Sequence, residues 1–240
     1  MPAYNEAGGI AGFLRDIHDH FDDLDYLVVV VDDCSGDTTS EVVQSLAQDT
    51  LPVDLITATA NRGHGPATLT ALHAAVDRGS PWIVATDGDG QISGSDLRQI
   101  FVAVCASESG YVEGVRTKRS DPWFRKVVSA GTRTLVWLRC GVAPRDANTP
   151  FRAYSRERLE EVLTTLPGSA TTPNLTISAL ARKKKWAITE VPITSRPRRG
   201  TTAEGSTWNQ KNPLLPSKRF VQFCVQAMSE WLRQGKRHSQ

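Results

Sequence analysis

The 240-residue chain contains no apolar run approaching the ~20 residues that cross a bilayer, so a membrane-spanning helix is not expected. No basic stretch followed by an apolar block opens the sequence, and no signal peptide is expected. Cysteine is scarce and scattered. Cys34, Cys105, Cys140 and Cys224 form no C-x-x-C pair, which excludes a zinc ribbon and suits reduced thiols in a cytosolic protein. A phosphate loop of the G-x-x-x-x-G-K type is missing, which argues against a P-loop nucleotidase. Gly63-His64-Gly65 lacks the third glycine of a dinucleotide fingerprint. The nearest acidic strand end also precedes these glycines instead of following by ~20 residues, so a Rossmann dehydrogenase is excluded. There is no internal repeat or low-complexity tract, and no nucleic-acid partner is expected.

What is present suits one large α/β domain with an ample core, or one domain plus a small appendage: 40% of residues are hydrophobic. Net charge is only +2, but it is unevenly spread. Residues 1–60 carry 12 acids and 1 base, whereas residues 181–240 carry 13 bases and 3 acids. A basic end of this kind is either a solvated face or a surface that meets phosphates or an anionic membrane.

Apolar periodicity predicts a helix over residues 6–20, with Ile10, Phe13, Leu14 and Ile17 on one face. Tyr26–Val31 reads as a strand buried on both faces. A helix over Thr39–Gln48, a strand over Leu55–Ala60, a helix over Pro66–Val76 and a strand over Trp82–Ala85 follow. Strands alternating with helices predict a mostly parallel sheet flanked by helices, with ligands at the carboxyl ends of the strands.

The most informative segment is Asp87-Gly88-Asp89-Gly90-Gln91-Ile92, directly after the Trp82–Ala85 strand. Two carboxylates one residue apart at a strand end repel each other, and burying either is costly without a cation. The plain alternative is an Asx turn that ends the strand. A calcium loop fails, because Ile92 and Arg98 stand where Gly and Glu are required. Asp87, Asp89 and the Gln91 amide oxygen are hard ligands suited to Mg2+ or Mn2+, and a bound diphosphate could add further oxygens.

Four segments in order, Pro2-Ala3-Tyr4-Asn5-Glu6, Val31-Asp32-Asp33-Cys34-Ser35, Asn61-Arg62-Gly63-His64-Gly65 and Asp87-Gly88-Asp89-Gly90-Gln91, resemble the family 2 glycosyltransferases with the GT-A fold. Gly114-Val115-Arg116, Arg125-Lys126-Val127-Val128-Ser129, Asp146–Arg152 and Glu190-Val191-Pro192-Ile193 look like the polyprenyl-phosphate branch, which includes dolichol-phosphate mannose synthases. The resemblance covers roughly residues 2–200. It implies inverting transfer of mannose or glucose from a GDP- or UDP-sugar (GDP-mannose or UDP-glucose) to a polyprenyl phosphate. The catalytic domain is expected over 1–200, and a flexible loop with an amphipathic helix over 201–240. There are two departures. The Val/Ile-rich strand that usually precedes the first motif is not seen before Met1, leaving an expected open edge in mid-sheet. Thr149-Pro150 stands where a Ser/Thr-Gly pair is common.

The resemblance also assigns roles. Pro2, Tyr4, Glu6 and Asp33 are expected to hold the nucleoside end of the donor, Asp87 its ribose or the metal, and Asp89 and Gln91 the metal. Asn5-Glu6 could instead simply cap the first helix. Arg116, Arg125 and Ser129 match the acceptor-phosphate set, and Arg125 and Ser129 stand four apart, on one face of a helix. Asp146 is a weak base, an orienting partner for an arginine such as Arg152, or a helix cap. Arg198 is expected to close over the donor diphosphate, with Gly200–Thr207 as lid or linker. Apolar faces within 122–140 and 218–233, flanked by Lys and Arg, suit either a membrane interface or core packing. The expected location is cytoplasmic, with at most peripheral contact at the cytoplasmic membrane face. Two other readings stay open: a soluble or polysaccharide acceptor with Asp146 as true base, and an inactive nucleotide-sugar-binding module.

Overall fold

The computed structural model describes residues 1–49, 51–117, 123–168, 170–199, 224, 225, 228 and 229, with the side chains of 123–126 outside that description. Seven strands and seven helices are seen among these residues. Strands β1 (Pro2–Ala3), β2 (Val28–Asp32) and β3 (Val53–Thr57) form a parallel sheet in the order β1-β2-β3. Strands β4 (Trp82–Ala85), β5 (Tyr111–Thr117), β6 (Arg152–Ser155) and β7 (Thr189–Thr194) form a second sheet in the order β4-β6-β5-β7. In it β6 runs antiparallel to both neighbours, and β7 runs parallel to β5.

This arrangement decides where the chemistry can sit. Because β6 is antiparallel to β4 and to β5, those two strands end at the same edge. The beginning of β6, and the loop that feeds it, arrive at that edge too. The end of β7 emerges there as well. Four different segments of sequence therefore converge on one line of strand ends, as expected for an α/β sheet.

The first residues of the Pro2–Glu6 motif form β1. They sit between β2 and the turn after β4: Val31 donates to the Met1 carbonyl at 2.9 Å, and Gly88 donates to the Pro2 carbonyl at 3.0 Å. The expected mid-sheet edge is thus bridged at its carboxyl end.

Helix α1 (Ile10–Phe21) buries Ile10, Phe13, Leu14, Ile17 and Phe21, which follow the 3.6-residue period. It begins four residues later than expected, because residues 5–9 form a turn instead, with Asn5 at φ 53° and the Glu6 carbonyl accepting from Gly9 and Ile10. α1 packs on α4 (Gly94–Cys105), burying Leu97, Ile100 and Val104. Each fully buried side chain of this kind contributes roughly 1.5–3 kcal/mol. The start of α4 is fixed by a capping box, in which Ser93 Oγ accepts from the Asp96 N–H at 3.2 Å. Helices α2 (Thr39–Asp49), α3 (His64–Asp77), α5 (Trp123–Cys140), α6 (Arg156–Thr165) and α7 (Pro173–Lys183) complete the layers.

Strand β3 lies earlier than the expected 55–60. Pairing with β2 begins at Val28↔Val53 and stops at Asp32↔Thr57, so ladder register overrides the apolar run that suggested the later start. Of the predicted helix over 218–233, Cys224, Val225, Met228 and Ser229 are helical. The rest of it, and the Gly200–Thr207 segment, lie outside the described residues. No helix among the described residues is long and apolar enough to cross a membrane.

Candidate active site

The candidate donor side is at the ends of β1, β2 and β4. After β1 the chain turns through Asn5, Glu6 and Ala7, whose N–H groups donate to Ser35 Oγ (2.9 Å), Thr39 Oγ1 (2.8 Å) and Asp37 Oδ2 (3.1 Å). Asn5 Oδ1 returns the contact by accepting from the Gly36 N–H at 2.8 Å. The turn is thereby sewn to the loop after β2, with Glu6 buried and Tyr4 38% exposed. Asn5 and Glu6 therefore do not cap α1; Gly9 stands at the cap position.

Asp32 and Asp33 divide the work at the end of β2. Asp32 accepts from the Ser35 N–H at 3.1 Å and from the hydroxyls of Ser35 and Ser40, holding the turn and the start of α2. Asp33 accepts from the backbone N–H groups of Arg62 (2.9 Å) and Gly63 (2.8 Å), one on each carboxylate oxygen. It therefore positions the Asn61–Gly65 turn, while each oxygen keeps a second lone pair facing other partners. Gly63 supplies the positive φ of 88° that this turn needs.

The acidic turn after β4 lies against these groups. His64 Nε2 stands 3.6 Å from Asp87 Oδ1, and the Gln91 N–H donates to Asp89 Oδ1 at 3.1 Å. Burial and the neighbouring Asp87 push the Asp89 carboxyl up to about 6, against the opposing pull of the Gln91 N–H, Arg198 and His64. Burial likewise pushes Glu6 up to about 7, partly offset by its bond from Arg198 and reinforced by Asp89 and Asp87. Burial thus works against the charged form of two of three neighbouring acids, and Asp87 adds to it. Hard oxygens in such a setting fit a divalent cation. Among the described residues no group of three or more His, Cys, Asp or Glu side chains is arranged to hold a metal by itself. A cation on Asp87, Asp89 and Gln91 would need further oxygens from the donor diphosphate.

The segment after β7 crosses this turn. Arg196 donates its N–H to the Gln91 carbonyl at 2.9 Å, and Arg199 donates to the Asp89 carbonyl at 3.0 Å. Arg198 places its guanidinium on the Glu6 carboxylate, with Nε 3.0 Å from Oε2, and Arg199 reaches Asp16 and the Gly12 carbonyl on α1. The segment rests on bare backbone: a Cβ at Gly9 would overlap the Arg199 carbonyl, and one at Gly90 would lie 2.7 Å from Arg199 Cδ.

The candidate acceptor side is at β5 and the loop before β6. Arg116 binds Asp146 in fork geometry, Nε to Oδ2 at 2.6 Å and one terminal nitrogen to Oδ1 at 2.9 Å. Asp146 is thus tied to Arg116, while Arg152 takes Tyr111 and Asn174 as side-chain partners. Helix α5 carries Arg125 and Ser129 four residues apart, with Ser129 half-buried and the Arg125 side chain outside the described residues.

Behind this loop, sequence reasoning missed Glu113 and Arg182 and weighed Arg152 only as a partner of Asp146. Arg152, Glu113 and Arg182 are almost wholly inaccessible, and Glu113 accepts from Arg182 on both oxygens (3.2 and 2.9 Å) and from the Tyr111 hydroxyl at 2.7 Å. Burial works to raise the Glu113 carboxyl, but the guanidiniums of Arg152 and Arg182 outweigh it and hold the group below its ordinary value. The signal was a charged residue inside each of two apolar strands, Tyr111-Val112-Glu113 and Arg152-Ala153-Tyr154.

The family model described as glycosyl transferase family 2 matches residues 1–163. The chain belongs to that family. As a family 2 glycosyltransferase it is an enzyme, with a GT-A fold. It is 30% identical over 201 residues to polyprenol monophosphomannose synthase of Mycolicibacterium smegmatis, covering 81% of this chain and 75% of that one. It is 27% identical over 210 residues to UDP-N-acetylglucosamine–dolichyl-phosphate N-acetylglucosaminyltransferase of Methanococcus voltae, covering 80% and 82%. Glucosyl-3-phosphoglycerate synthase from Mycobacterium tuberculosis, solved with Mn2+, uridine diphosphate and phosphoglyceric acid, superposes with a TM-score of 0.68 at 18% identity. That match covers 97% of this chain and 76% of the other, and it speaks for the fold.

Proposed function

We propose that this glycosyltransferase moves a hexose, mannose or glucose, from a GDP- or UDP-sugar to a polyprenyl phosphate, with inversion at the anomeric carbon. The observation that carries the reading is the Arg116–Asp146 pair. A hydroxyl acceptor needs a base, and Asp146, the residue of that loop suited to the role, is tied in fork geometry to Arg116. A phosphate acceptor is already ionised at neutral pH and needs a cation that places its oxygen in line with the sugar. Arg116, aimed by Asp146, supplies that, with Arg125 and Ser129 on α5 completing the set. The names of the two curated relatives support the same acceptor class.

On the donor side Tyr4 offers its ring to the base, while Glu6 and Asp33 offer oxygens to base or ribose. Asp87, Asp89 and Gln91 would hold Mg2+ or Mn2+, which when bound offsets the charge of the diphosphate and eases its departure. Arg198 stands beside them and transfers its guanidinium from Glu6 to the diphosphate when the donor enters. Helix α5 also leaves Val127, Trp137 and Leu138 exposed beside Arg133 and Arg139, which suits peripheral contact with an anionic membrane face.

The test is a transfer assay with GDP-mannose, UDP-glucose and UDP-N-acetylglucosamine, each with and without Mn2+ or Mg2+, on a short polyprenyl phosphate. One donor should give a lipid-phosphate sugar, only with metal. Transfer to a soluble hydroxyl acceptor, with none to the lipid, would overturn the acceptor assignment. Flotation with anionic vesicles, but not neutral ones, is expected for the membrane contact.

A further inference from the structure

The loop between Asp146 and Arg152 is gripped from two sides by two arginines. From the site side, Arg116 binds the Asp146 carboxylate and approaches the Asn148 carbonyl at 3.4 Å. From the buried side, Arg152 donates to the carbonyls of Ala147 (3.5 Å) and Thr149. The Ala147 and Thr149 carbonyls thus meet the buried guanidinium, while the Asn148 carbonyl meets Arg116.

The rest of the Arg152 head group is equally occupied. Its Nε–H donates to the Tyr111 hydroxyl at 3.0 Å, and its terminal nitrogens reach Asn174 Oδ1 and the Asn174 carbonyl, both at 2.8 Å. All five N–H donors of the guanidinium therefore have acceptors. The residue is wholly buried, and its backbone lies between Ala85 on β4 and Glu113 on β5. Two residues beyond Ala85 stands Asp87, and three beyond Glu113 stands Arg116. A buried charge this completely satisfied is costly to assemble, and an apolar residue of similar volume is often as stable. Fold alone does not account for it.

We propose that Arg152 is a positioning residue for the acceptor site: it fixes the carbonyls of Ala147 and Thr149, and so sets the Asp146 carboxylate that aims Arg116 at the acceptor phosphate. The proposal rests on the acceptor role given to Arg116 above. Lysine cannot reproduce it, since a single ammonium reaches neither both carbonyls nor the fork of acceptors.

The test uses the full chain and the variants Arg152→Lys and Tyr111→Phe, the second removing one acceptor of the guanidinium with little change of volume. Acceptor KM should rise about tenfold in Arg152→Lys and by a smaller factor in Tyr111→Phe. The dissociation constant for GDP or UDP with Mn2+, by calorimetry, should stay within about twofold, because the donor side does not depend on this loop. An unchanged acceptor KM, with kcat falling only as the folded fraction falls, would overturn the proposal. If Arg152→Lys does not fold, Tyr111→Phe and Asn174→Ala decide by the same split.

A second readout needs no acceptor. The Arg116 Nε–H resonance, assigned through Arg116→Lys, should shift in the Arg152 and Tyr111 variants while that of Arg78, which pairs with Asp54 far from this loop, stays put. A moved Arg116 signal in an enzyme that glycosylates no polyprenyl phosphate would uphold the positioning role and reject the acceptor. An unmoved signal with unchanged KM in an enzyme that does glycosylate it would reject the positioning role alone.

Discussion

The two ends of the cleft handle charge in opposite ways. On the candidate donor side Glu6, Asp87 and Asp89 crowd together beside Arg198, and two of the three carboxyls are held well above their ordinary range. On the candidate acceptor side three of the described charges face fitted partners: Arg116 with Asp146, Arg152 with five acceptors, Glu113 with Arg182. On one side burial works against the charged acids, and on the other the described charges named here are already paired. A site of the first kind selects for what completes it; one of the second kind holds its geometry while the substrate changes.

Replacing Asp89 by Asn is the hardest test of this contrast. If the acids wait for a cation, transfer should fall about 10³-fold, read as initial rate with saturating donor and Mn2+, while stability stays equal or rises. Undiminished turnover would remove the metal from the account. On the opposite side, Glu113→Gln leaves two buried guanidiniums short of a counter-charge. It should cost about 3 kcal/mol in urea unfolding, a penalty the donor-side variant does not show. Arg116→Lys keeps the charge and loses the fork. Its kcat/KM for the acceptor should drop about 30-fold with nucleotide affinity unaltered.

The smallest effect comes with pH. Glu6 titrates near 7 in the folded protein and near 4.5 when unfolded. The unfolded chain therefore gives up this proton first, and the contribution of Glu6 to stability declines as pH rises from 4.5 through 7. Glu6→Gln should flatten the fall of Tm across that window, by an amount worth about 1–2 kcal/mol. A wild-type Tm that climbs over the same range, unaffected by the substitution, would show that Arg198 compensates the acid fully.

The same contrast explains what the sequence disclosed. The donor side was legible because its residues follow apolar strands at short spacing: Asp33 after β2, Asp87 and Asp89 after β4. A polar group directly after a buried strand is forced to the sheet's edge, and local pattern suffices to say so. The acceptor side was readable only as separate residues. Arg116 and Asp146 stand 30 positions apart, and their pairing depends on β6 running antiparallel, which no local period reports. Arg152 was considered only as a partner of the Asp146 side chain, whereas it holds the neighbouring carbonyls. Ser35, Asp37 and Thr39 read as ordinary turn formers, and their hold on residues 5–7 is likewise a product of tertiary approach.

Gly9 and Gly90 touch no expected substrate, yet the chain bearing Arg198 lies flat upon both. Alanine at either would lift that chain off the cleft floor, and at Gly90 the backbone itself, with φ at 64°, resists the change. In a saturation screen scored by turnover, two positions without functional groups should therefore rank alongside the acids, and they would be mistaken for chemistry by anyone scoring side chains alone.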